Sequence, residues 1–264
     1  MFGHIHLIGK WLFLSNSVNS IVTWNFGLGI WDFPGLGIWD FFRFNHHMRD
    51  VTSQASYWNR VAHEKRFSHP LCAGWLSRYM EPQALILDYG CGYGRTLEDL
   101  SAAGYTNSVG LDSSEGMLAR CRSLHPRQSL IQSDGHILPF RDNAFDAVLL
   151  FAVLTCIPLD TDQRTLVEEI KRVLRPGGLL YISDLLLDET ARNRERYERF
   201  VKAYGTYGIF ELPEGVVVRH HSQEWIAKLT ASFEQLEYEP FIVVTMNGNN
   251  SPAFQYMGRI RSSI

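Results

Sequence analysis

Short apolar segments alternate with amphipathic segments through the middle of this chain, and this alternation limits the fold more than any other feature. The amphipathic segments carry apolar residues at helical spacing, whereas the apolar segments are continuous. Continuous apolar strands are typical of a parallel sheet with helices on both faces. The predicted strands are residues 85–89, 108–111, 129–132, 145–151 and 179–183. We therefore expect a doubly wound α/β fold.

The remaining segments extend this pattern on both sides. Two strands at residues 241–246 and 254–260 are joined by a loop rich in Asn and Gly, which favours an antiparallel hairpin. The expected sheet is therefore seven-stranded and mostly parallel, with an antiparallel C-terminal hairpin. Helices are predicted at residues 57–67, 70–80, 95–103, 114–124, 161–174, 189–204 and 222–232.

The first fifty residues differ in composition from the rest and contain a short direct repeat. They hold four of the seven tryptophans, and residues 26–33 are followed by a near copy at 34–41. We predict an aromatic extension over residues 1–56 and one domain over 57–264, with an insertion at 188–232 that forms a lid over the ligand site. The extension could pack on the domain or form a homodimer. The alternatives are a role at a membrane surface or in the ligand pocket.

Charge and cysteine content narrow the range of partners. The formal net charge of −3 gives no general reason to expect nucleic acid or an anionic membrane as a partner. The four cysteines are scattered, which favours neither a disulfide framework nor a zinc site and suggests a reducing cytoplasm. No apolar run reaches the roughly 18–20 residues that cross a bilayer. Metal is not expected, although His46-His47 form an adjacent pair.

Three glycines within five residues follow the first predicted strand, in Asp88-Tyr-Gly-Cys-Gly-Tyr-Gly94. Glycines allow a tight turn and a close approach of the backbone to a ligand. The following helix directs its free N–H groups towards the same place. A dinucleotide site would have Gly-x-Gly-x-x-Gly, but Arg95 stands at the third small position, which argues against NAD.

This motif resembles motif I of the class I S-adenosylmethionine-dependent methyltransferases, in particular those of the small-molecule type. Further matches follow in the family's order, and the resemblance covers about residues 57–187. The further matching segments are Gly110-Leu-Asp-Ser-Ser114, Asp134-Gly135, Leu138-Pro-Phe140, Phe145-Asp-Ala-Val148 and Leu174-Arg-Pro-Gly-Gly178.

The resemblance implies S-adenosylmethionine as cofactor and S-adenosylhomocysteine as product. It places Asp112 at the ribose hydroxyls and Asp134 near the adenine amino group. Asp88 would face the methionine end or orient the glycine loop, and Phe151 and Leu154 would border the adenine or the methyl group. The expected cofactor-binding residues are Asp88, Gly90, Cys91, Gly92, Gly94, Asp112, Ser113, Asp134, Gly135, Phe151 and Leu154.

The residues that would bind the methyl acceptor are less clearly indicated by the sequence. In an open α/β sheet the ligand crevice lies beyond the carboxyl ends of the strands, which points to residues 155–158, Asp184 and the segment after the fifth strand. An acceptor that loses a proton needs a base, and histidine is the usual one near neutral pH. We therefore name His220, His221 and Tyr207 as candidate catalytic residues. The competing interpretation is that the two adjacent histidines lie on a solvated loop and have no catalytic role.

Three functions are compatible with these patterns. The first is methyl transfer to a small molecule by direct in-line displacement. The second is methylation of RNA, DNA or protein, against which stand the absence of the Asn/Asp-Pro-Pro-aromatic motif and of a basic stripe. The third is a non-catalytic module that binds S-adenosylmethionine or S-adenosylhomocysteine, since fold does not fix function.

Overall fold

A seven-stranded sheet with helices on both faces forms the centre of the computed structural model, which describes residues 54–134 and 137–261. The predicted aromatic extension (up to residue 53), His46-His47 and Gly135 lie outside the described residues. The strand order is β3-β2-β1-β4-β5-β9-β8, and β9 is antiparallel to both of its neighbours. The expected fold class and the antiparallel C-terminal hairpin are confirmed.

The strands and the α-helices are numbered in chain order. The strands are β1 Ile86–Tyr89, β2 Ser108–Asp112, β3 Ser129–Gln132, β4 Phe145–Phe151, β5 Leu174–Leu185, β6 Ile209–Glu211, β7 Val217–Arg219, β8 Phe233–Val244 and β9 Asn250–Ile260. The α-helices are α1 Ala55–Val61, α2 Ala73–Tyr79, α3 Arg95–Ala102, α4 Glu115–Leu124, α5 Asp160–Val173, α6 Ala191–Tyr204 and α7 Gln223–Leu229. No described helix has both the length and the apolar character needed to cross a bilayer.

Successive residues of the central strand β4 face opposite layers of the core. Leu149 packs with Trp75 of α2 and Leu100 of α3 on one face. Leu150 packs with Ile170 of α5 and Ile226 of α7 on the other face. Both leucines are fully buried. Every residue of the strand except Asp146 is therefore apolar, because each face is covered by helices.

The structure differs from the predicted elements mainly in the last third of the chain. Strand β8 begins at Phe233, whereas the prediction began at residue 241, because glutamates and exposed residues interrupt the apolar pattern along this edge strand. Pro240 lies within β8, where an edge position tolerates the missing N–H. The hairpin β6–β7 was not predicted, since strands of three residues are too short to show a period.

The glycine at the start of α3 is required for two separate reasons. Gly94 caps the helix with a φ of 85°, a conformation that L side chains rarely adopt. A Cβ at this position would also lie 2.3 Å from Sγ of Cys121. Gly104, just after α3, has a φ of 93° but open space around it.

We expect Gly94→Ala to destabilise the protein far more than Gly104→Ala. Backbone strain alone costs about 1–2 kcal/mol in each variant. Overlap with Cys121 adds roughly 1–3 kcal/mol in Gly94→Ala only. Urea unfolding followed by circular dichroism measures both losses. Equal losses in the two variants would show that the contact with Cys121 does not matter.

Candidate active site

Two adjoining cavities open where the parallel strands end. The first, of about 250 Å³, is lined by the glycine loop after β1, by the end of β2 and by Phe151 of β4. The second, of about 350 Å³, lies between β5, α6, the β6–β7 hairpin and the β8–β9 turn. Four residues line both cavities: Trp58, Phe67, Ala152 and Cys156. Molecules bound in the two cavities would therefore meet at a common wall.

The glycine loop is fixed to the neighbouring strand by its backbone. The N–H groups of Gly90 and Cys91 both donate to the carbonyl oxygen of Leu111, at 2.7 and 3.0 Å. Gly90 also lies close to the next loop, since a Cβ there would be 2.7 Å from Cγ2 of Val153. Glycine at this position thus permits the close approach of two loops that line the first cavity.

The carboxylate of Asp112 is oriented by the loops on both sides of it. Its Oδ2 accepts a hydrogen bond from the N–H of Gly92, and its Oδ1 accepts one from the N–H of Ser114, each at 2.8 Å. Burial raises the pKa of Asp112, and these hydrogen bonds act in the opposite direction. Each oxygen retains lone-pair capacity, and the residue lines the first cavity. This geometry suits a ligand with two neighbouring hydroxyls.

Asp88 lies beneath the glycine loop and does not line the cavity. It is 1% exposed, and its Oδ2 has no hydrogen-bond partner among the described residues. Burial raises the pKa of Asp88 to about 7. A buried acceptor without a partner is costly, and a cationic ligand group nearby would reduce the cost of ionisation. This arrangement fits S-adenosylmethionine, which carries a sulfonium and an ammonium group.

The other predicted cofactor residues divide into three groups. Six line the first cavity with Asp112: Gly90, Cys91, Gly92, Ser113, Asp134 and Phe151. Leu154 is fully buried in the core and lies outside the lining, and Gly94 serves as the helix cap. Gly135 lies outside the described residues.

An aromatic cluster beside the first cavity was missed by the sequence analysis. The rings of Phe67 and Tyr93 stack at 5.7 Å, and the guanidinium of Arg120 lies 4.0 Å from the centre of the Tyr93 ring. Trp58 of α1 contacts the edge of Phe67. Tyr93 occupies a variable position of the glycine motif, and no pattern marks Trp58 or Phe67 as ligand-facing. Only the tertiary fold brings them together.

A strained residue lies where the two cavities meet. Ala152 follows β4 with a φ of 57°, and its N–H donates to the carbonyl oxygen of Ser183 at 2.8 Å. Backbone strain of this kind in non-glycine residues is concentrated at functional sites. It turns the chain after β4 so that Ala152 and Cys156 contribute to both cavities.

The three predicted catalytic residues occupy different environments. His220 lines the second cavity. His221 is fully buried and lines neither cavity, because its ring nitrogens lie 3.1 Å from the carbonyl oxygen of Leu185 and 2.9 Å from Nε2 of Gln163. Tyr207 is 41% exposed, lines neither cavity and packs against the ring of Tyr197. Only His220 therefore lies where it could contact an acceptor.

Tyr197 determines which nitrogen of His220 carries hydrogen. The Tyr197 hydroxyl accepts a hydrogen bond from the N–H of Asp188 at 3.4 Å and lies 2.6 Å from Nδ1 of His220. We assign the hydroxyl hydrogen to this Nδ1, which places the ring hydrogen on Nε2. Burial lowers the pKa of His220 well below its usual range, so the ring is neutral at neutral pH. In this form Nε2 is a hydrogen-bond donor.

A second histidine that lines the second cavity was not predicted. His69 is buried, lines the second cavity and lies 2.9 Å through Nδ1 from Oγ of Ser183. Burial lowers the pKa of His69 to about 3. It precedes Pro70 in a segment without a period, so no signal in the sequence separates it from a loop histidine. Asp184, predicted to line the crevice, is instead fully buried and accepts N–H bonds from Leu185 and Thr155.

We expect Asp88→Asn to stabilise the ligand-free protein, and increasingly so as pH rises. Folding raises the pKa of Asp88 from 3.8 to about 7, so ionisation costs more in the folded state. As the pH rises from 3.8 to about 7, the unfolding free energy of the wild type therefore decreases by about 1.4 kcal/mol per pH unit for one proton. Urea unfolding at pH 5, 6 and 8 should show a growing difference. A pH-independent difference would contradict this assignment, and Glu234→Gln, at an exposed position, serves as control.

Similarity to known proteins agrees with this geometry. The pattern of a family described as a methyltransferase domain matches residues 87–182. The O-methyltransferase resE of Aspergillus sclerotiorum is 31% identical over 137 residues, which are 48% of this chain and 47% of that protein. A protein of Encephalitozoon cuniculi named as a methyltransferase is 30% identical over 162 residues, which are 60% of this chain and 68% of that protein.

A solved structure shows the same fold. An S-adenosylmethionine-dependent methyltransferase from Methanosarcina mazei has a TM-score of 0.68 and 21% identity, covering 75% of this chain and 100% of the other. The present chain spans about half the length of the fungal O-methyltransferases that it matches. The motif order, the seven-stranded sheet and the matched relatives lead to one conclusion. The chain belongs to the class I S-adenosylmethionine-dependent methyltransferases.

Proposed function

We propose that this chain transfers the methyl group of S-adenosylmethionine to a small molecule bound in the second cavity. The observation that carries this proposal is the pair of adjoining cavities with four residues in common. A ligand in the first cavity can present a reactive group at this wall to a ligand in the second. The O-methyltransferase names of the fungal relatives support a small-molecule acceptor.

In the first cavity, Asp112 holds the ribose hydroxyls and Asp134, with Gly135, binds the adenine amino group. Asp88 orients the loop from below and offsets the positive charge of the methionine end. The bound cofactor supplies an electrophilic methyl group on a sulfonium. The chain's own task is to hold the acceptor atom in line with the methyl–sulfur bond, and such positioning supplies much of the acceleration.

The second cavity suits an acceptor of modest size. Its volume of about 350 Å³ is within the range of small-molecule sites. Much of its wall comes from residues 188–232, which we propose to be the acceptor-binding insertion. His220 contacts the acceptor there, and its Nε2–H donates a hydrogen bond that orients the acceptor molecule for transfer. His221 and Tyr207 support this region from behind the cavity wall.

The proposed location and partners of the protein rest on its cysteines, its net charge and its composition. We propose a cytoplasmic location, supported by four free cysteines. We propose no nucleic-acid partner, supported by the net charge of −3. Homodimer formation through the aromatic N-terminal extension stays a proposal based on its composition.

Transfer is tested with methyl-deuterated S-adenosylmethionine and fractionated cell extract, read by mass spectrometry. We expect one labelled methyl group in a small-molecule fraction. Asp112→Ala should abolish most of this label, because loss of hydrogen bonds to a charged group weakens S-adenosylhomocysteine binding by about ten- to a hundredfold. Glu234→Ala is the matched control. Label confined to RNA or protein would overturn the small-molecule proposal, and cofactor binding without any label would favour a non-catalytic binding module.

The role of His220 is tested by comparing His220→Gln with His220→Phe on the acceptor found above. A donor role predicts that the glutamine variant retains much more activity than the phenylalanine variant. A general base would contribute about 10²–10⁴-fold, and glutamine could not replace it. Equal losses in both variants would therefore exclude the donor role. Isothermal titration with S-adenosylhomocysteine checks that both variants keep the cofactor site.

A further inference from the structure

The second cavity contains a cationic side chain that forms no salt bridge with any residue the structure describes, although the charge of Asp188 acts on it. Arg196 of α6 lines this cavity, and its Nε is buried with no hydrogen-bond partner among the described residues. By contrast, Arg199 on the same helix is exposed and paired with Glu195 at 2.8 Å. A buried N–H without a partner is costly, and the Arg196 side chain is half-buried. A ligand that supplied an anion would offset this cost.

The guanidinium of Arg196 is held in a fixed orientation. Its Cζ lies 3.6 Å from the centre of the Phe210 ring, and the side chain also interacts with the Tyr197 hydroxyl. Stacking on an aromatic face restricts a guanidinium while leaving its edge free for a planar, two-oxygen partner. Such a fixed fork is the arrangement that proteins use for carboxylates.

Nearby groups add donors to the same part of the cavity. His220 contacts Tyr197 through Nδ1 and therefore has its hydrogen on Nε2. Asp188 also lines the cavity, but its Oδ1 accepts from the N–H of Thr190 and its Oδ2 accepts from the side-chain amide of Asn193. The Asp188 carboxylate is therefore engaged by neutral donors rather than by a salt bridge to Arg196. The other walls include Trp58, Phe67 and Phe210, which offer aromatic surface.

We propose that the acceptor is a small aromatic or largely apolar acid whose carboxylate pairs with Arg196. This inference rests on the proposed function and specifies its substrate class. The carboxylate binds the guanidinium edge, the apolar body packs on the aromatic walls, and the acceptor atom at the other end reaches the wall shared with the first cavity. No covalent step involves Arg196, which acts as a binding residue.

The test uses two probes of similar shape, 2-naphthoate, which is an anion, and 2-naphthamide, which is neutral and has an NH2 group in place of one oxygen. Binding to the full chain saturated with S-adenosylhomocysteine is measured by isothermal titration or ligand-observed NMR. We expect the acid to bind at least tenfold more tightly than the amide. Arg196→Gln should remove this preference, whereas Arg199→Gln, on the same helix but at the surface, should keep it. Arg196→Lys should keep a reduced preference, because the charge remains but the planar fork is lost.

The outcomes separate this inference from the proposed function. Equal affinity for the two probes, no binding of the acid, or a preference that survives Arg196→Gln would overturn the carboxylate assignment. Failure of the wild type to bind S-adenosylhomocysteine would instead overturn the assignment of the cofactor site. Cofactor titration of Arg196→Gln and its thermal unfolding confirm that the variant is folded. If it does not fold, the Arg196→Lys variant and the two probes on the wild type still decide the question.

Discussion

The carboxylate of Asp112 joins three parts of the chain that the site requires in one place. It is the last residue of β2, and its two oxygens hold the N–H of Gly92 in the loop after β1 and the N–H of Ser114 at the start of α4. Ser114 in turn caps α4 by accepting from the N–H of Met117. A single side chain thus fixes the loop, the strand end and the helix entry. The shape of the first cavity depends on this connection.

The loop that follows β4 rests on a closely packed core. Leu149 and Leu150 bury both faces of β4, and the loop after that strand turns through the strained Ala152. Strain of this kind is retained only where the surrounding structure determines the backbone. The rigid sheet therefore supports the chain reversal that separates the two cavities. Stability of the core and geometry of the site are linked at this point.

The sequence was sufficient for the parallel half of the sheet, because strands covered on both faces are continuous in apolar residues and the helices between them are periodic. It was less informative for β8, an edge strand in which Glu234 and Glu239 interrupt the apolar pattern. The Gly and Asp positions of the first cavity were predictable since backbone conformation and charge restrict those residues. His69, Trp58 and Phe67 were not, because their positions depend on tertiary packing across long sequence separations.

The second cavity shows the same limit of prediction from the sequence. Adjacent histidines gave no basis for separating His220 from His221, although one lines a cavity and the other is bonded on both ring nitrogens. The register of β7 and the chain after it decides which side chain points inwards. Arg196 lies on a helix whose residues alternate in charge, a pattern typical of a solvated face. Its stacking on Phe210 comes from the β6–β7 hairpin, whose short strands have no sequence signal.

The wall shared by the two cavities has a thermodynamic consequence. Trp58, Phe67, Ala152 and Cys156 each belong to both surfaces, so any adjustment made for one ligand changes the surface offered to the other. Free energies of binding are then coupled, and by linkage the factor by which the cofactor changes acceptor affinity equals the factor by which the acceptor changes cofactor affinity. Replacing the methylated cofactor by its demethylated product alters the occupant at this wall. Under the proposed transfer, release of the two products is therefore a linked process rather than two independent dissociations.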